Sequence, residues 1–142
     1  MNTSQMSGLD ENMNLASVWE QIADAQPEAL ALANADTSRT WAEFDDRASR
    51  LAGALEAAGI GAGDNVACAM YNGNEYIEAE FAAFKARAAP CNVNYRYVEA
   101  ELQYLIDNSD SKAVFFDSSL AERFGNVRDQ LPGVQLWIQV GG

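Results

Sequence analysis

The sequence has 142 residues, 49% of them hydrophobic, which suits a single domain that buries a core. Its 21 acidic residues outnumber its 9 Lys and Arg residues, and the formal net charge of -12 disfavours nucleic acids and acidic membrane surfaces as partners. Because the chain has no histidine, it lacks Ser-His and Cys-His nucleophile pairs and any Cys-His zinc set.

The amino terminus has no visible targeting signal. Met1 to Glu11 contain neither the basic region nor the apolar run of a signal peptide, and no stretch approaches the ~20 apolar residues of a membrane span. We therefore predict a polar, frayed tail over residues 1–12, a folded region over residues 13–142 and a cytoplasmic location. Cys68 and Cys91 lie singly in apolar segments, which predicts buried free thiols and no metal site.

The first predicted elements are a helix and a β-hairpin. Residues 29–33 are a short apolar run, residues 34–38 have turn composition, and residues 39–41 complete the predicted hairpin. The helix lies before the hairpin and is expected to end before Pro27, because proline interrupts the helical hydrogen-bond pattern. Its apolar positions, at helical spacing, are Leu15, Val18, Trp19 and Ile22.

A second helix has clear start and stop signals. Thr40 and Glu43 have the spacing of a capping box, in which each side chain bonds the backbone N–H of the other residue. Gly59 provides the left-handed residue that ends the helix. The apolar stripe between them comprises Phe44, Ala48, Leu51, Ala52 and Leu55.

From Asn65 onward, apolar runs recur about every 23 residues with amphipathic segments between them. The runs are Val66–Met70, Pro90–Val93, Ala113–Phe116 and Val134–Val140. This alternation predicts an α/β fold, a mostly parallel sheet with helices on its faces. Three helical stripes separate the runs, and Ser119 to Glu122 has the spacing of a second capping box. The stripes are Tyr76, Ile77, Phe81 and Phe84, then Val98, Leu102, Leu105 and Ile106, then Leu120, Phe124, Val127 and Leu131.

Ligands of open α/β sheets bind beyond the carboxyl ends of the strands, which directs attention to residues 71–74, 94–97 and 117–119. None of these loops is a phosphate cradle. The glycine-rich segment 59–63 follows a helix instead of a strand, so we interpret it as a helix stop and turn. Asn74 precedes a helix, which predicts a helix cap in preference to a ligand contact.

The segment from Asn94 to Tyr97 has the densest chemistry. It combines Arg96 with two aromatic rings and could bind an anion or stack on a planar group. The alternative that we favour is structural: Asn94 holds the loop by side-chain hydrogen bonds and Arg96 braces neighbouring carbonyls.

We predict no catalytic role for the charged residues elsewhere in the chain. Arg123 and Arg128 lie apart from the apolar stripe of their helix and are expected to be solvent-exposed. Two carboxylate pairs are Asp45 with Asp46 and Glu78 with Glu80. The sequence predicts no apolar enclosure that would raise their pKa values, so we assign them no acid–base role. No catalytic residue and no metal ligand set is visible.

Several motifs in order resemble the amino-terminal part of AMP-forming acyl-CoA synthetases, which are adenylate-forming ligases. The resemblance covers residues 15–116 well. Its motifs are Thr40-Trp-Ala-Glu43-Phe44, Gly63-Asp-Asn65-Val-Ala67, Asn72, Glu75-Tyr76, Phe84-Lys85-Ala86, Asn94-Tyr-Arg96-Tyr97 and Glu101-Leu102 through Tyr104 and Ile106 to Ser109. Departures from the family pattern stand at Asn65, Arg87, Asn92 and Tyr95. The run 92–97 resembles a branch that activates fatty-acid or steroid-side-chain carboxylates.

The resemblance implies a two-step reaction of the whole enzyme. A carboxylate attacks the α-phosphate of ATP with magnesium assistance, and the CoA thiolate then displaces AMP from the acyl-adenylate. The family's Ser/Thr/Gly-rich loop ending in Pro-Lys-Gly, its Tyr-Gly-x-Thr-Glu segment, its ribose-binding Asp and its carboxyl-terminal Lys have no match here. In some relatives, arginines after the fourth strand approach CoA, which makes Arg123 and Arg128 candidate contacts.

We therefore expect an incomplete amino-terminal subdomain over residues 13–142 that is inactive alone and binds no cofactor by itself. ATP, magnesium and CoA would belong to the parent enzyme, and the main partner would be the remainder of the synthetase. The alternative is a non-catalytic scaffold that self-associates through an uncovered sheet edge. A small nucleotide-binding domain is disfavoured because no strand is followed by a phosphate-binding glycine loop.

Overall fold

The computed structural model describes residues 14–142, so the tail predicted over residues 1–12 lies outside the described residues. Six strands and five α-helices are described there, with two short 3₁₀ turns at Ser118–Leu120 and Arg128–Gln130. The order is α1 Leu15–Ala25, β1 Leu30–Ala33, β2 Ser38–Thr40, α2 Trp41–Ala57, β3 Asn65–Ala69, α3 Asn74–Lys85, β4 Ala89–Asn92, α4 Glu99–Asn108, β5 Ser111–Asp117, α5 Ala121–Val127 and β6 Leu136–Val140.

The main sheet confirms the predicted fold class. Its four strands run in the order β4-β3-β5-β6, and every neighbouring pair is parallel. Strands β1 and β2 form a separate antiparallel hairpin. Because all four strands of the main sheet run the same way, their carboxyl ends meet at one edge, where the following loops converge. Pro90 lies on the edge strand β4, the kind of position in which a sheet tolerates a residue without an N–H.

Helices cover both faces of the sheet, since successive strand residues point to opposite sides. On one face, Val66, Cys68 and Phe115 pack in one cluster with Leu55 of α2. The other face buries Ala67 and Val114, packed with residues of α4 and α5 that include Leu102, Ile106 and Phe124.

A third cluster joins α1, α2 and α3 beside the hairpin. The Phe44 and Phe81 rings are 4.7 Å apart and almost fully buried, and Trp19 meets Phe81 edge-on at 5.1 Å. Each such aromatic side chain contributes roughly 2–3 kcal/mol through burial. The predicted stripe of α2 is therefore confirmed as a core face. The stripe predicted for α1 is confirmed at Trp19 but wrong at Leu15 and Val18, which are 50% and 38% exposed, whereas Ala16 and Ala23 are buried.

The helix ends test the capping predictions. At α2 the capping box is confirmed: Thr40 Oγ1 accepts from the Glu43 N–H at 3.2 Å, and Glu43 Oε2 accepts from the Thr40 N–H at 3.3 Å. Gly59 follows that helix with φ of +82°, as its predicted role requires. The capping box predicted at Ser119 is wrong, because Asp117 at the end of β5 accepts from the Ser119 N–H at 2.9 Å.

Two further details differ from the sequence prediction. Val98 lies outside α4 and is 51% exposed, so it is not part of that helix's buried stripe. Both thiols are free, but only Cys68 is buried; Cys91 is half-buried because β4 is an edge strand. Over residues 14–142, no helix combines the length and the apolar character needed to span a membrane.

Candidate functional site

The candidate site is a cavity of about 400 Å³ at the carboxyl ends of β3 and β4. Both strands deliver their following loops to its wall, and α3 closes one side with Tyr76. The polar and aromatic lining residues are Tyr71, Asn72, Tyr76, Asn92, Asn94, Tyr95 and Arg96. The structure therefore brings together the loops at 71–74 and 94–97, both of which the sequence analysis selected.

A second cavity of about 500 Å³ lies beside the first, between β1 and the start of α3. Asn72 and Tyr76 line both cavities, so these two side chains form the partition. The wall contributed by the hairpin is mostly apolar, from Ala31 to Ala33. The 117–119 loop lines neither cavity.

Aromatic rings and a cation lie together at the mouth of the first cavity. The Tyr71 and Tyr95 rings are 4.6 Å apart, and the Arg96 guanidinium lies 5.6 Å from the Tyr95 ring centroid. Within the part of the chain that the structure describes, the Arg96 side chain makes no hydrogen bond or ion pair. A guanidinium over aromatic faces suits a planar or anionic group.

The Tyr76 hydroxyl anchors α3 to the end of β4. It donates to Asn92 Oδ1 at 2.7 Å. Partial burial, with smaller contributions from neighbouring Cys68 and Glu80, raises the pKa of Tyr76 to about 12. The hydroxyl therefore stays protonated at physiological pH and acts as a hydrogen-bond donor instead of a base.

The loop between β4 and α4 is braced from outside. Asn94 Oδ1 accepts from the Arg96 N–H at 2.9 Å, which confirms the predicted role of Asn94. The prediction that Arg96 braces carbonyls is wrong, since Arg123 does so: its Nη1 donates to the Tyr95 carbonyl at 2.8 Å and to the Tyr97 carbonyl at 3.2 Å. Arg123 is accordingly half-buried and not the solvent-exposed charge predicted, whereas Arg128 is exposed as predicted.

Asn74 does not cap α3, contrary to the prediction. Gly73 occupies the capping position, and Asn74 is the first helical residue and is buried. Its Nδ2 donates to the Thr37 carbonyl at 3.3 Å and to Thr37 Oγ1 at 3.0 Å. The side chain therefore joins α3 to the hairpin, because a partner from another element is within reach.

Glu78 was not predicted as a special residue, yet its side chain is only 2% exposed. Arg47 Nε donates to Glu78 Oε1 at 2.8 Å, and Arg39 Nε lies 3.5 Å from the same oxygen. The hydrogen bond between Arg47 and Glu78 is the main reason that the pKa of Arg47 is raised. The one local signal was spacing, since Asn74 and Glu78 are four residues apart and thus share a helix face.

The lysine of α3 also belongs to an internal network. Lys85 Nζ lies 2.7 Å from Asp45 Oδ1 and 3.1 Å from Glu20 Oε1, and 4.5 Å from the Phe81 ring centroid. Glu78 and Asp45 thus neutralise cations within the fold, and the prediction that Glu78 lacks an enclosure is wrong because its side chain is buried. Among residues 14–142, no group of three or more His, Cys, Asp or Glu side chains could hold a metal ion.

Residues 19–140 match a family model described as AMP-binding enzyme. The chain belongs to this family. It is 41% identical over 128 residues to a 3-oxocholest-4-en-26-oate--CoA ligase of Rhodococcus rhodochrous, a match that covers 90% of this chain and 23% of that protein. A Thermus thermophilus long-chain-fatty-acid--CoA ligase is 30% identical over 97% of this chain and 26% of its own length. The chain thus spans about a quarter of the length of the curated relatives it matches.

Solved structures agree with this family. A crystal structure of the N-terminal domain of FACL13 from Mycobacterium tuberculosis matches with a TM-score of 0.83 and 28% identity, over 90% of this chain and 34% of that one. The anthranilate CoA ligase AuaEII, in complex with anthranoyl-AMP, matches 100% of this chain and 27% of that chain with a TM-score of 0.88. At 19% identity, the latter match concerns the fold alone. The chain is therefore similar to the amino-terminal portion of acyl-CoA ligases, as its motifs indicated.

Proposed function

We propose that this chain serves an acyl-CoA ligase that activates a fatty-acid or steroid-side-chain carboxylate, and that it forms no acyl-CoA alone. In the whole enzyme the carboxylate would attack ATP to give acyl-adenylate and pyrophosphate, and the CoA thiolate would then release AMP. The observation that carries the substrate class is the 41% identity to a ligase named for 3-oxocholest-4-en-26-oate. ATP, magnesium and CoA are cofactors of that whole enzyme.

The arrangement of charged side chains supports the proposed inactivity of the chain alone. Lys85 is held by Asp45 and Glu20, and Lys112 lies 3.1 Å from Asp110, so neither lysine faces the candidate cavity as a phosphate ligand. The walls of the cavity come from the loops that follow β3 and β4, the last residue of β4, and α3. On this proposal, the chain supplies walls and loop positions, and the rest of the ligase supplies the catalytic groups.

A chimaera tests the ligase assignment. This chain would replace the matching segment of the Rhodococcus rhodochrous ligase, and acyl-CoA formation from ATP, CoA and either 3-oxocholest-4-en-26-oate or a fatty acid would be measured. We expect activity from the chimaera and none from this chain alone. Acyl-CoA formed by the chain alone would refute its inactivity, and a folded but inactive chimaera would refute the ligase role.

The same chimaera tests the CoA contacts expected from the resemblance. Arg123 and Arg128 remain proposed contacts, although the first of them already bonds two loop carbonyls. Replacing each with Ala separately should raise the CoA concentration needed for half-saturation where a contact exists. Unchanged CoA saturation in both variants would reject the contacts.

The second candidate function is a self-association module without chemistry. It is favoured by β6, whose outer edge pairs with no strand among residues 14–142. An uncovered strand presents unpaired N–H and C=O groups that favour pairing with another chain.

A further inference from the structure

The last residue of β4 places a polar side chain on the face of the sheet that α3 covers. Asn92 is the register partner of Cys68, and partners on parallel strands point to the same side. Cys68 packs in the cluster that includes Tyr76 and other residues of α3. The Asn92 amide therefore lies beside the α3 wall of the first cavity, which it also lines.

The Tyr76 hydroxyl fixes the orientation of this amide. It donates to Asn92 Oδ1 at 2.7 Å, and it stays protonated at physiological pH and so keeps the role of donor. The oxygen and the nitrogen of a primary amide share one carbon, so holding Oδ1 also sets the direction of the two Nδ2 protons. The Nδ2 group is then the part of Asn92 that remains for a ligand in the first cavity.

The other groups of the cavity suit a ligand oxygen that carries negative charge. Among residues 14–142, the side chains of Asn72 and Arg96 and the Nδ2 group of Asn92 donate to no protein acceptor. Although the chain has a formal charge of -12, no Asp or Glu is among the described residues that line this cavity. Donors without a nearby carboxylate favour a carboxylate or phosphate oxygen, which accepts the stronger, charge-assisted hydrogen bonds.

We propose that Asn92 contacts an anionic substrate oxygen through Nδ2, and that Tyr76 is the positioning residue that holds the amide for this contact. The inference rests on the proposed function, since the oxygen would belong to one of the three substrates of the ligase. The carboxylate, ATP and CoA all carry such oxygens, and separate titrations distinguish them.

Asn92→Asp in the chimaera described above is the most direct test. The new carboxylate still accepts from Tyr76, but it replaces the N–H donors with a negative charge. The affinity for the contacted substrate should therefore fall by about tenfold or more. Isothermal titration calorimetry with a fatty-acid carboxylate, ATP or CoA, each alone, identifies that substrate. Unchanged affinity for all three, or no binding of any of them, would overturn the proposal.

Calorimetry also separates this inference from the ligase assignment, because binding requires no turnover. A chimaera that forms no acyl-CoA but binds a substrate less tightly after Asn92→Asp would refute the ligase role and support the contact. An active chimaera whose affinities do not change would support the ligase role and overturn the contact.

The matched control for added charge is Asn108→Asp. Asn108 ends α4 and precedes β5, so it lies at the opposite edge of the sheet from the cavity. This variant adds the same charge and should leave all three affinities unchanged. Equal losses in the two Asp variants would indicate a general effect of charge and would overturn the proposal.

Tyr76→Phe tests the positioning role. It keeps the ring and removes the hydroxyl, so Nδ2 is still present but is no longer held in one direction. Affinity for the same substrate should fall by about three- to tenfold. Asn92→Ala should cause a larger loss, and adding Tyr76→Phe to it should weaken binding no further. Additive losses would show that Tyr76 does not act through Asn92.

A purely structural bridge predicts a different pattern. If Asn92 only held α3, or if its Nδ2 group bonded the remainder of the ligase, Asn92→Ala would lower the urea midpoint of the chimaera and leave the three affinities unchanged. That result would overturn the proposal. We expect Asn92→Asp to retain the midpoint, measured by tryptophan fluorescence, because its hydrogen bond with Tyr76 persists, and still to lose affinity.

Discussion

Two polar regions lie beside the amino-terminal half of α3, and they differ in how their groups are paired. On the side that faces α2 and the hairpin, Glu78 is buried and lies within reach of two arginines. At the carboxyl edge of the sheet, Tyr71 is 46% exposed, and the Arg96 side chain makes no hydrogen bond or ion pair among the described residues. Buried polar groups must be paired to be tolerated, whereas exposed groups over a cavity can serve a ligand. The first region therefore stabilises the fold, and the second is the better candidate for binding.

Among the substitutions that test this comparison, Glu78→Gln should change the free energy of unfolding most. Removing the carboxylate takes the closest anionic partner from partly buried Arg39 and from the more exposed Arg47, and leaves a buried amide in its place. We therefore expect the free energy of unfolding to fall by about 2–3 kcal/mol. Urea denaturation followed by tryptophan fluorescence measures this change. Asp46→Asn is the matched control, since its pair with Arg50 is exposed and should matter by no more than about 0.5 kcal/mol. Equal effects of the two substitutions would contradict the assigned role of Glu78.

An intermediate effect is expected for Arg123→Gln, which removes the brace from the β4–α4 loop. The loss should cost about 1–2 kcal/mol and act locally, because both acceptors belong to that loop. The Tyr97 N–H, which bonds the Asn94 carbonyl at 3.1 Å, should exchange faster with solvent by hydrogen-exchange NMR. Arg128→Gln serves as the control with no change. Unaltered exchange of Tyr97 would mean that Arg123 does not hold the loop.

The smallest effect is expected for Arg96→Ala at the candidate site. Its guanidinium stabilises the fold only through a stacking contact with Tyr95, so unfolding should change by no more than about 0.5 kcal/mol in the same denaturation assay. Asn94→Ala, which loses the loop hydrogen bond, should cost more than Arg96→Ala. A large destabilisation by Arg96→Ala would show that this side chain is structural and would remove the contrast between the two regions.

The sequence predicted the architecture because its signals were local and periodic. The strand–helix alternation, the capping box at Thr40 and the stop at Gly59 each depend on residues within a few positions. The two loops of the candidate site were also found, since the carboxyl ends of parallel strands converge by topology alone.

The errors concern side chains whose partners are distant along the chain. Asn74 bonds Thr37, and Arg123 bonds carbonyls 26 and 28 residues away, so local capping and exposure rules chose the wrong role. Glu78 was predicted to have no enclosure, and its burial was missed because its arginine partner stands 31 residues upstream. Tertiary hydrogen bonds of this kind override local preference and leave little trace in spacing.

The strand order has a consequence for synthesis of the chain. The central strand β3 pairs with β4 on one side and with β5 on the other, and Val66 lies beside Ala113. During translation, β3 must therefore wait for roughly 45 further residues before its second side is covered, about 2–9 s at 5–20 residues per second. Both sides of this apolar strand are unpaired until β4 is made, and one side stays unpaired until β5 is made, so the nascent chain is prone to aggregate over that interval.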